Sequence, residues 1–196
     1  MEASPHLILA SASPRRKQLL EGAGLSFTIV VSDVDENGPV KGSPAQHARR
    51  LAEKKAAAVA RLYPESHVLG ADTIVVVDGD VLGKPSSTDE ALRMLSRLSG
   101  RAHLVYTGWS VQCRARGFSF SGVEETRVQF KDLTPSEISW YVSTNEPMDK
   151  AGSYAIQDLG AALVKSVIGS YTNVVGLPLC EVVEVLEREG FRRRGR

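Results

Sequence analysis

Arginines in the first turn of a helix need a reason. In Ser11-Ala12-Ser13-Pro14-Arg15-Arg16, Ser13 reads as an N-cap and Pro14 as the first helical residue. Arg15 and Arg16 then fall where free backbone N–H groups are already electropositive. An anion resolves the conflict, because N–H groups, serine hydroxyls and two guanidiniums can converge on one phosphate or carboxylate. The plainer alternative is a solvated pair that merely begins a helix. Asp72 poses the opposite problem. It stands inside Val68-Leu69-Gly70-Ala71-Asp72-Thr73-Ile74-Val75-Val76-Val77, a run apolar enough for a buried strand. A carboxylate there is costly unless it has a cation, a metal or a reaction to serve. Lys84, just past the next turn, is one candidate partner, and a simple salt bridge or cap is the plainer reading. A third charged group is the loop Ser32-Asp33-Val34-Asp35-Glu36. It is either a solvated turn or a source of oxygen ligands for a hard divalent cation.

The elements that must position these residues can be read in part. Leu7-Ile8-Leu9-Ala10 is a short buried strand before the arginine helix, which carries Leu19 and Leu20 inward. Phe27 to Val31 has strand composition. Ser43-Pro44 opens a helix whose small apolar residues, Ala45 to Val59, share one face. Lys54 and Lys55 lie on or beside that face, a solvated pair in the plainer reading. Asp78-Gly79 predicts a hairpin between the Asp72 strand and Val81-Leu82. Ser87-Thr88-Asp89-Glu90 and Thr134-Pro135-Ser136-Glu137 read as capping boxes. The first opens a helix with Leu92, Leu95 and Leu98 inward, ended by Gly100. Strands are predicted over residues 103–113, 117–123 and 126–130. A polar, glycine-bearing segment, 145–157, suits a loop shaped around a ligand. Residues 169–178 lead into a helix carrying Leu179, Val182, Val183 and Leu186.

Bulk properties exclude several classes. Hydrophobic residues make up 42% and charged residues 24%, which is ample for a core. A net charge of +1 offers no field for nucleic acid or an anionic membrane. No apolar run reaches the length of a membrane span, and none reads as a signal peptide. Cys113 and Cys180 lack metal-ligand spacing and read as reduced core thiols of a cytoplasmic protein. His6, His47, His67 and His103 show no ligand spacing either. Neither GxxxxGK[ST], a strand-linked GxGxxG nor GxSxG is present. The expected organisation is a single α/β domain over residues 1–191 with a mixed sheet, and a frayed basic tail over 192–196. What remains is an anion cradle, isolated cations and embedded carboxylates, an inventory suited to a phosphate ester or polyphosphate bound with a divalent metal.

Five motifs make the reading specific. SASPRR at 11–16, GADTIV at 70–75, GKP at 83–85, DKAGSYAIQ at 149–157 and GSYTNVVGLPL at 169–179 occur in this order. Together they resemble the Maf family of nucleotide pyrophosphatases over nearly the whole chain. The resemblance implies an α/β, ITPase-like fold: a mixed β-sheet flanked by helices, with two lobes around a central cleft, in a homodimer. It implies hydrolysis of a nucleoside triphosphate to the monophosphate and pyrophosphate with a divalent cation, Mg2+ or Mn2+. By motif, Ser11, Arg15 and Arg16 would hold phosphates, and Lys55 and Lys84 would add positive charge. Glu36 would help place the metal. Asp72 would be the catalytic carboxylate, activating water or ligating the metal that does so. AIQ followed by GSYxNVVGLPL is similar to the dTTP/UTP branch, with Arg15, Thr73 and Gln157 on specificity positions. A glutamine amide suits the O4/N3–H edge of uracil and thymine. Asp158 departs from a more usual glycine, in a turn that asks for positive φ. The competing readings are 7-methyl-GTP or another modified nucleotide as substrate, or a nucleotide-sensing regulator of septum formation. Either account requires the arginine pair and Asp72 to share one pocket.

Overall fold

The computed structural model describes residues 5–36, 38, 40 and 42–194. Seven strands and six α-helices follow in chain order among them. They are β1 (Leu7–Leu9), α1 (Pro14–Gly22), β2 (Thr28–Ile29), α2 (Pro44–Leu62), β3 (His67–Val77), β4 (Asp80–Leu82), α3 (Thr88–Leu98), β5 (Ala102–Cys113), β6 (Phe118–Phe130), α4 (Pro135–Ser143), β7 (Val164–Ile168), α5 (Tyr171–Val175) and α6 (Leu179–Arg188). The sheet order is β2-β1-β3-β5-β6-β7, with β4 beside β3. It is mixed: β1 runs parallel to β2 and β3, whereas β3/β4 and β6/β7 are antiparallel.

The chain divides into two compact units, one of residues 1–72, 107–124 and 176–196, the other of 73–106 and 125–175. In the first, strand alternation sorts the core into two layers. Leu7 and Leu9 of β1 join Leu20 of α1 and Val182, Val183 and Leu186 of α6. Ile8 and Ala10 face the other way, onto Ala56, Val59 and Ala60 of α2. α2 reaches the sheet because two facing residues lack a side chain. A Cβ on Gly70 would stand 2.4 Å from Ala52 O and 2.7 Å from Ala56 N, and one on Gly108 2.3 Å from Arg49 N. Backbone against backbone at that separation admits only glycine.

The second unit is centred on α3, which packs on α4 and on the turn around Gly152. His103, Phe130 and Tyr154 meet edge to face beside them, and the His103 ring nitrogen Nε2 lies 2.8 Å from the Tyr154 hydroxyl.

Several sequence expectations are corrected here. The two strands expected at 117–123 and 126–130 are one, β6. Glu124 and Glu125 do not interrupt it, because that part of the strand is open to solvent and Glu125 accepts the Tyr106 hydroxyl. The first capping box is half formed. Ser87 Oγ accepts the Glu90 N–H at 3.2 Å, but the Glu90 carboxylate turns to Ser86 N at 2.7 Å. Leu92 is half-buried, and Ala91 and Met94 complete the inward face. Cys180 is exposed, so Cys113 alone is a core thiol. In the tail, Arg193 Nε donates to Glu187 Oε1 at 2.8 Å and the Arg194 N–H to Gly24 O at 2.9 Å. Residues 195 and 196 lie outside the described ones.

Candidate active site

The first unit gathers its buried charges around α1, α2 and β3. Ser13 Oγ accepts the Arg16 N–H at 3.4 Å, the N-cap that the sequence predicts. The cap fixes α1 so that Arg16 turns inward. Its Nε donates to Gly176 O at 2.7 Å and its Nη1 to Ser11 Oγ at 3.0 Å. Ser11 Oγ also accepts the Ser13 N–H at 3.2 Å, so the serine-rich turn folds around its own hydroxyl. Arg15, one residue away, is half-buried.

Lys54 and Lys55 part company. Lys54 is exposed, whereas Lys55 faces the sheet, and its ammonium reaches Asp72 Oδ1 at 2.7 Å and Glu36 Oε1 at 2.8 Å. The partner that the embedded carboxylate requires is therefore a lysine from α2. Gly70, two residues before Asp72 on β3, makes room for that helix. Asp72 is 6% exposed and Lys55 5%, so the pair is screened little by water. Asp33 and Asp35 of the same acidic loop are exposed.

Arg16 belongs to this charge cluster. Burial holds its guanidinium below the ordinary arginine value, while the carboxylates of Asp72 and Glu36 act in the opposite sense and Arg15 adds to the lowering. It remains a cation at neutral pH, since arginine does not deprotonate in proteins. Ser11, Arg16, Lys55, Glu36 and Asp72 thus form one connected electrostatic neighbourhood, with cations and carboxylates interleaved.

The other residues singled out from sequence belong to the second unit. Thr73 follows Asp72 on β3 and is half-buried. Lys84 is exposed just after β4. Next to it Gly83 O accepts the Gly152 N–H at 3.0 Å, which joins the GKP motif to DKAGSYAIQ. Gln157 is half-buried at the entry to a short 3-10 stretch, residues 158–163. Asp158 has φ +55°, so it takes the conformation the turn demands of it.

Gly176 has a role that was not expected from sequence. Its carbonyl holds Arg16, and its φ of +132° suits glycine. Its place in GSYTNVVGLPL was the available signal. No individual role was expected of Tyr141 or of Glu146 within the 145–157 loop, although Tyr141 accepts the Ala155 N–H before Gln157 and Glu146 the Leu159 N–H after it.

The carboxylate set suits a hard divalent cation in kind. Glu36 and Asp72 offer oxygen ligands that already converge on a single positive charge. Among the described residues, no group of three or more His, Cys, Asp or Glu side chains is placed to hold a metal. Two carboxylates supplemented by water and phosphate oxygens is the pattern by which Mg2+ is usually bound.

Comparison with known proteins gives consistent results. A family model described as "Maf-like protein" matches residues 6–189. A dTTP/UTP pyrophosphatase of Symbiobacterium thermophilum is 53% identical over 186 residues, covering 94% of this chain and 94% of that protein. One of Syntrophus aciditrophicus is 50% identical over 184 residues, covering 94% and 90%. Among solved structures, the Ham1 protein of Staphylococcus aureus shares the fold at 13% identity, with a TM-score of 0.51 over 94% of this chain and 99% of that one. No helix among the described residues is long and apolar enough to cross a membrane.

Proposed function

The chain belongs to the Maf-like family, and on that premise we propose that it is a nucleoside triphosphate pyrophosphatase acting on dTTP and UTP. Water attacks the α-phosphorus, the bond to the bridging α–β oxygen breaks, and pyrophosphate leaves the nucleoside monophosphate behind. The observation that carries this reading is the buried Asp72–Lys55 pair, joined by Glu36, beside the Arg16 anchor. An apolar strand has no structural need for such a carboxylate.

Each residue contributes what its chemistry allows. Asp72 accepts the proton of the attacking water on a carboxylate oxygen or ligates the metal, and Lys55 holds that carboxylate in place. Arg15 and Arg16 neutralise phosphate charge from the start of α1, where backbone N–H groups and guanidiniums act together. Ser11 holds Arg16 for that task. Lys84 adds positive charge to the triphosphate. Glu36 and Asp72 would hold a divalent cation, Mg2+ or Mn2+, which when bound offsets phosphate charge and lowers the pKa of coordinated water. Arg15, Thr73 and Gln157 select the base, with the Gln157 amide pairing with O4 and N3–H of uracil or thymine. A cytoplasmic homodimer accords with the family resemblance.

The test is a panel of nucleoside triphosphates, 7-methyl-GTP among them, at equal concentration with and without Mg2+ or Mn2+. Preference for dTTP and UTP supports the proposal. Preference for a purine removes the base assignment, and tight binding without turnover favours a sensor.

A further inference from the structure

The turn that carries Gln157 is held from within by one tyrosine and one glutamate. Tyr141 of α4 donates its hydroxyl to Glu146 Oε1 at 2.8 Å and accepts the Ala155 N–H at 3.1 Å. The same carboxylate accepts the Gly160 N–H on Oε1 at 3.0 Å and the Leu159 N–H on Oε2 at 3.2 Å. Tyr141 thus holds the chain before Gln157 and Glu146 holds it after, and the bond between them closes the clasp. Lys150 braces the Glu146 backbone, donating to Glu146 O at 2.6 Å.

Packing is equally closed. A Cβ on Gly160 would stand 2.3 Å from Ala155 O and 2.5 Å from Tyr141 Oη, so the two ends of the turn meet at a distance only glycine permits. Tyr154, Ala155 and Ile156 are buried, while Asp158 and Leu159 stand outside. Burial raises the Tyr141 phenol above its ordinary value, with Glu146 acting in the same sense, so the hydroxyl stays a donor at all physiological pH. The cost of this arrangement is a charged group committed to backbone N–H groups, a strong class of hydrogen bond.

Such rigidity has a chemical use. A glutamine amide presents one donor and one acceptor, and a flip exchanges them. One orientation matches O4 and N3–H of uracil or thymine, and the other matches N4–H2 and N3 of cytosine. The residue type cannot choose between them; its fixed placement can. We infer that Tyr141 and Glu146 are positioning residues that hold the Gln157 turn in one placement and so set the preference for uracil and thymine nucleotides over cytosine nucleotides. The inference rests on the assignment of Gln157 to the base in the proposed function.

The test measures kcat and KM for UTP and CTP in the wild-type protein, Tyr141→Phe, Glu146→Gln and Gln157→Ala, with thermal melts on the same samples. The ratio of kcat/KM for UTP to that for CTP is expected to fall about tenfold in Tyr141→Phe and in Glu146→Gln. The change should lie mainly in KM, with CTP turnover gained. A network that only supports the fold would lower the active fraction for both nucleotides alike and leave the ratio unmoved. An unmoved ratio in both variants, with Gln157→Ala shifting it, overturns the inference alone. An unmoved ratio in Gln157→Ala overturns the base assignment and the inference with it. Glu146→Gln risks unfolding, so Tyr141→Phe, which deletes one oxygen atom, is decisive. If Tyr141→Phe does not fold, the network belongs to stability and the inference fails.

Discussion

The Lys55 ammonium donates to Asp72 Oδ1 at 2.7 Å, and the side chains of both residues are more than nine-tenths removed from solvent. α2 supplies the lysine and β3 the carboxylate, so the pair records how closely that helix lies on that strand. Removing the lysine leaves Asp72 buried without the ammonium that faces it. Lys55→Met is therefore expected to destabilise the protein by about 3 kcal/mol at pH 7. Denaturant titration measures it. The double variant Lys55→Met/Asp72→Leu should lose less than the sum of the single changes, because it leaves no orphaned charge.

Gly70 controls the same distance from the other side. Its absent Cβ would stand 2.4 Å from Ala52 O, a backbone atom that cannot swing away. Gly70→Ala must push α2 off the sheet, carrying Lys55 from Asp72. The expected cost is about 2 kcal/mol of stability together with loss of turnover. Gly79→Ala is a useful contrast, because nothing lies within 4 Å of that missing Cβ; its φ of +84° brings backbone strain alone, remote from α2.

Both residues show what was legible in the sequence and what was not. An apolar strand broken by Asp72 announced that a cation, a metal or a reaction to serve was needed. It did not say which one, because pairing across the sheet and helix layers depends on Gly70 and Gly108 letting α2 approach. Lys54 and Lys55 look alike in sequence; one residue of helical rotation buries one and leaves the other wet. The N-caps at Ser13 and Thr134 were readable since capping is local. β7 was missed because its pattern, Val164-Lys165-Ser166-Val167-Ile168, lacks a consistently buried face and Ile168 is exposed. It pairs with β6 only once that long strand exists. Gly176 and Glu146 escaped for a related reason: each acts on a residue distant in sequence or through backbone groups that carry no sequence signal.

Acid should loosen the second unit. His103 is 2% exposed, and burial lowers its pKa to about 4 against 6.5 for the free side chain. Between those values the unfolded chain binds the proton and the folded one does not. Stability is thus fully present above pH 6.5 and declines as pH falls toward 4, by about 3 kcal/mol across the window. His103→Gln, which cannot titrate, should show a flatter dependence in melts recorded from pH 7 to pH 4.5. An unchanged slope would remove His103 as the cause.

Glu36 offers its carboxylate from an exposed loop, 47% open to solvent, and reaches the Lys55 ammonium at 2.8 Å. If it holds the metal with Asp72, Glu36→Gln should raise the Mg2+ concentration for half-maximal activity about tenfold while saturated turnover largely returns. Chelation with EDTA should silence the wild-type enzyme, and added Mg2+ or Mn2+ should restore it. Equal metal dependence in variant and wild type would place the ion elsewhere.

The reaction itself is tested most directly by resolving the products of dTTP by chromatography, with the wild-type protein and with Asp72→Asn. The wild type should release dTMP and pyrophosphate in equal amounts, and Asp72→Asn should bind dTTP yet form neither at a measurable rate. Release of dTDP and orthophosphate, or normal turnover by Asp72→Asn, would contradict the account.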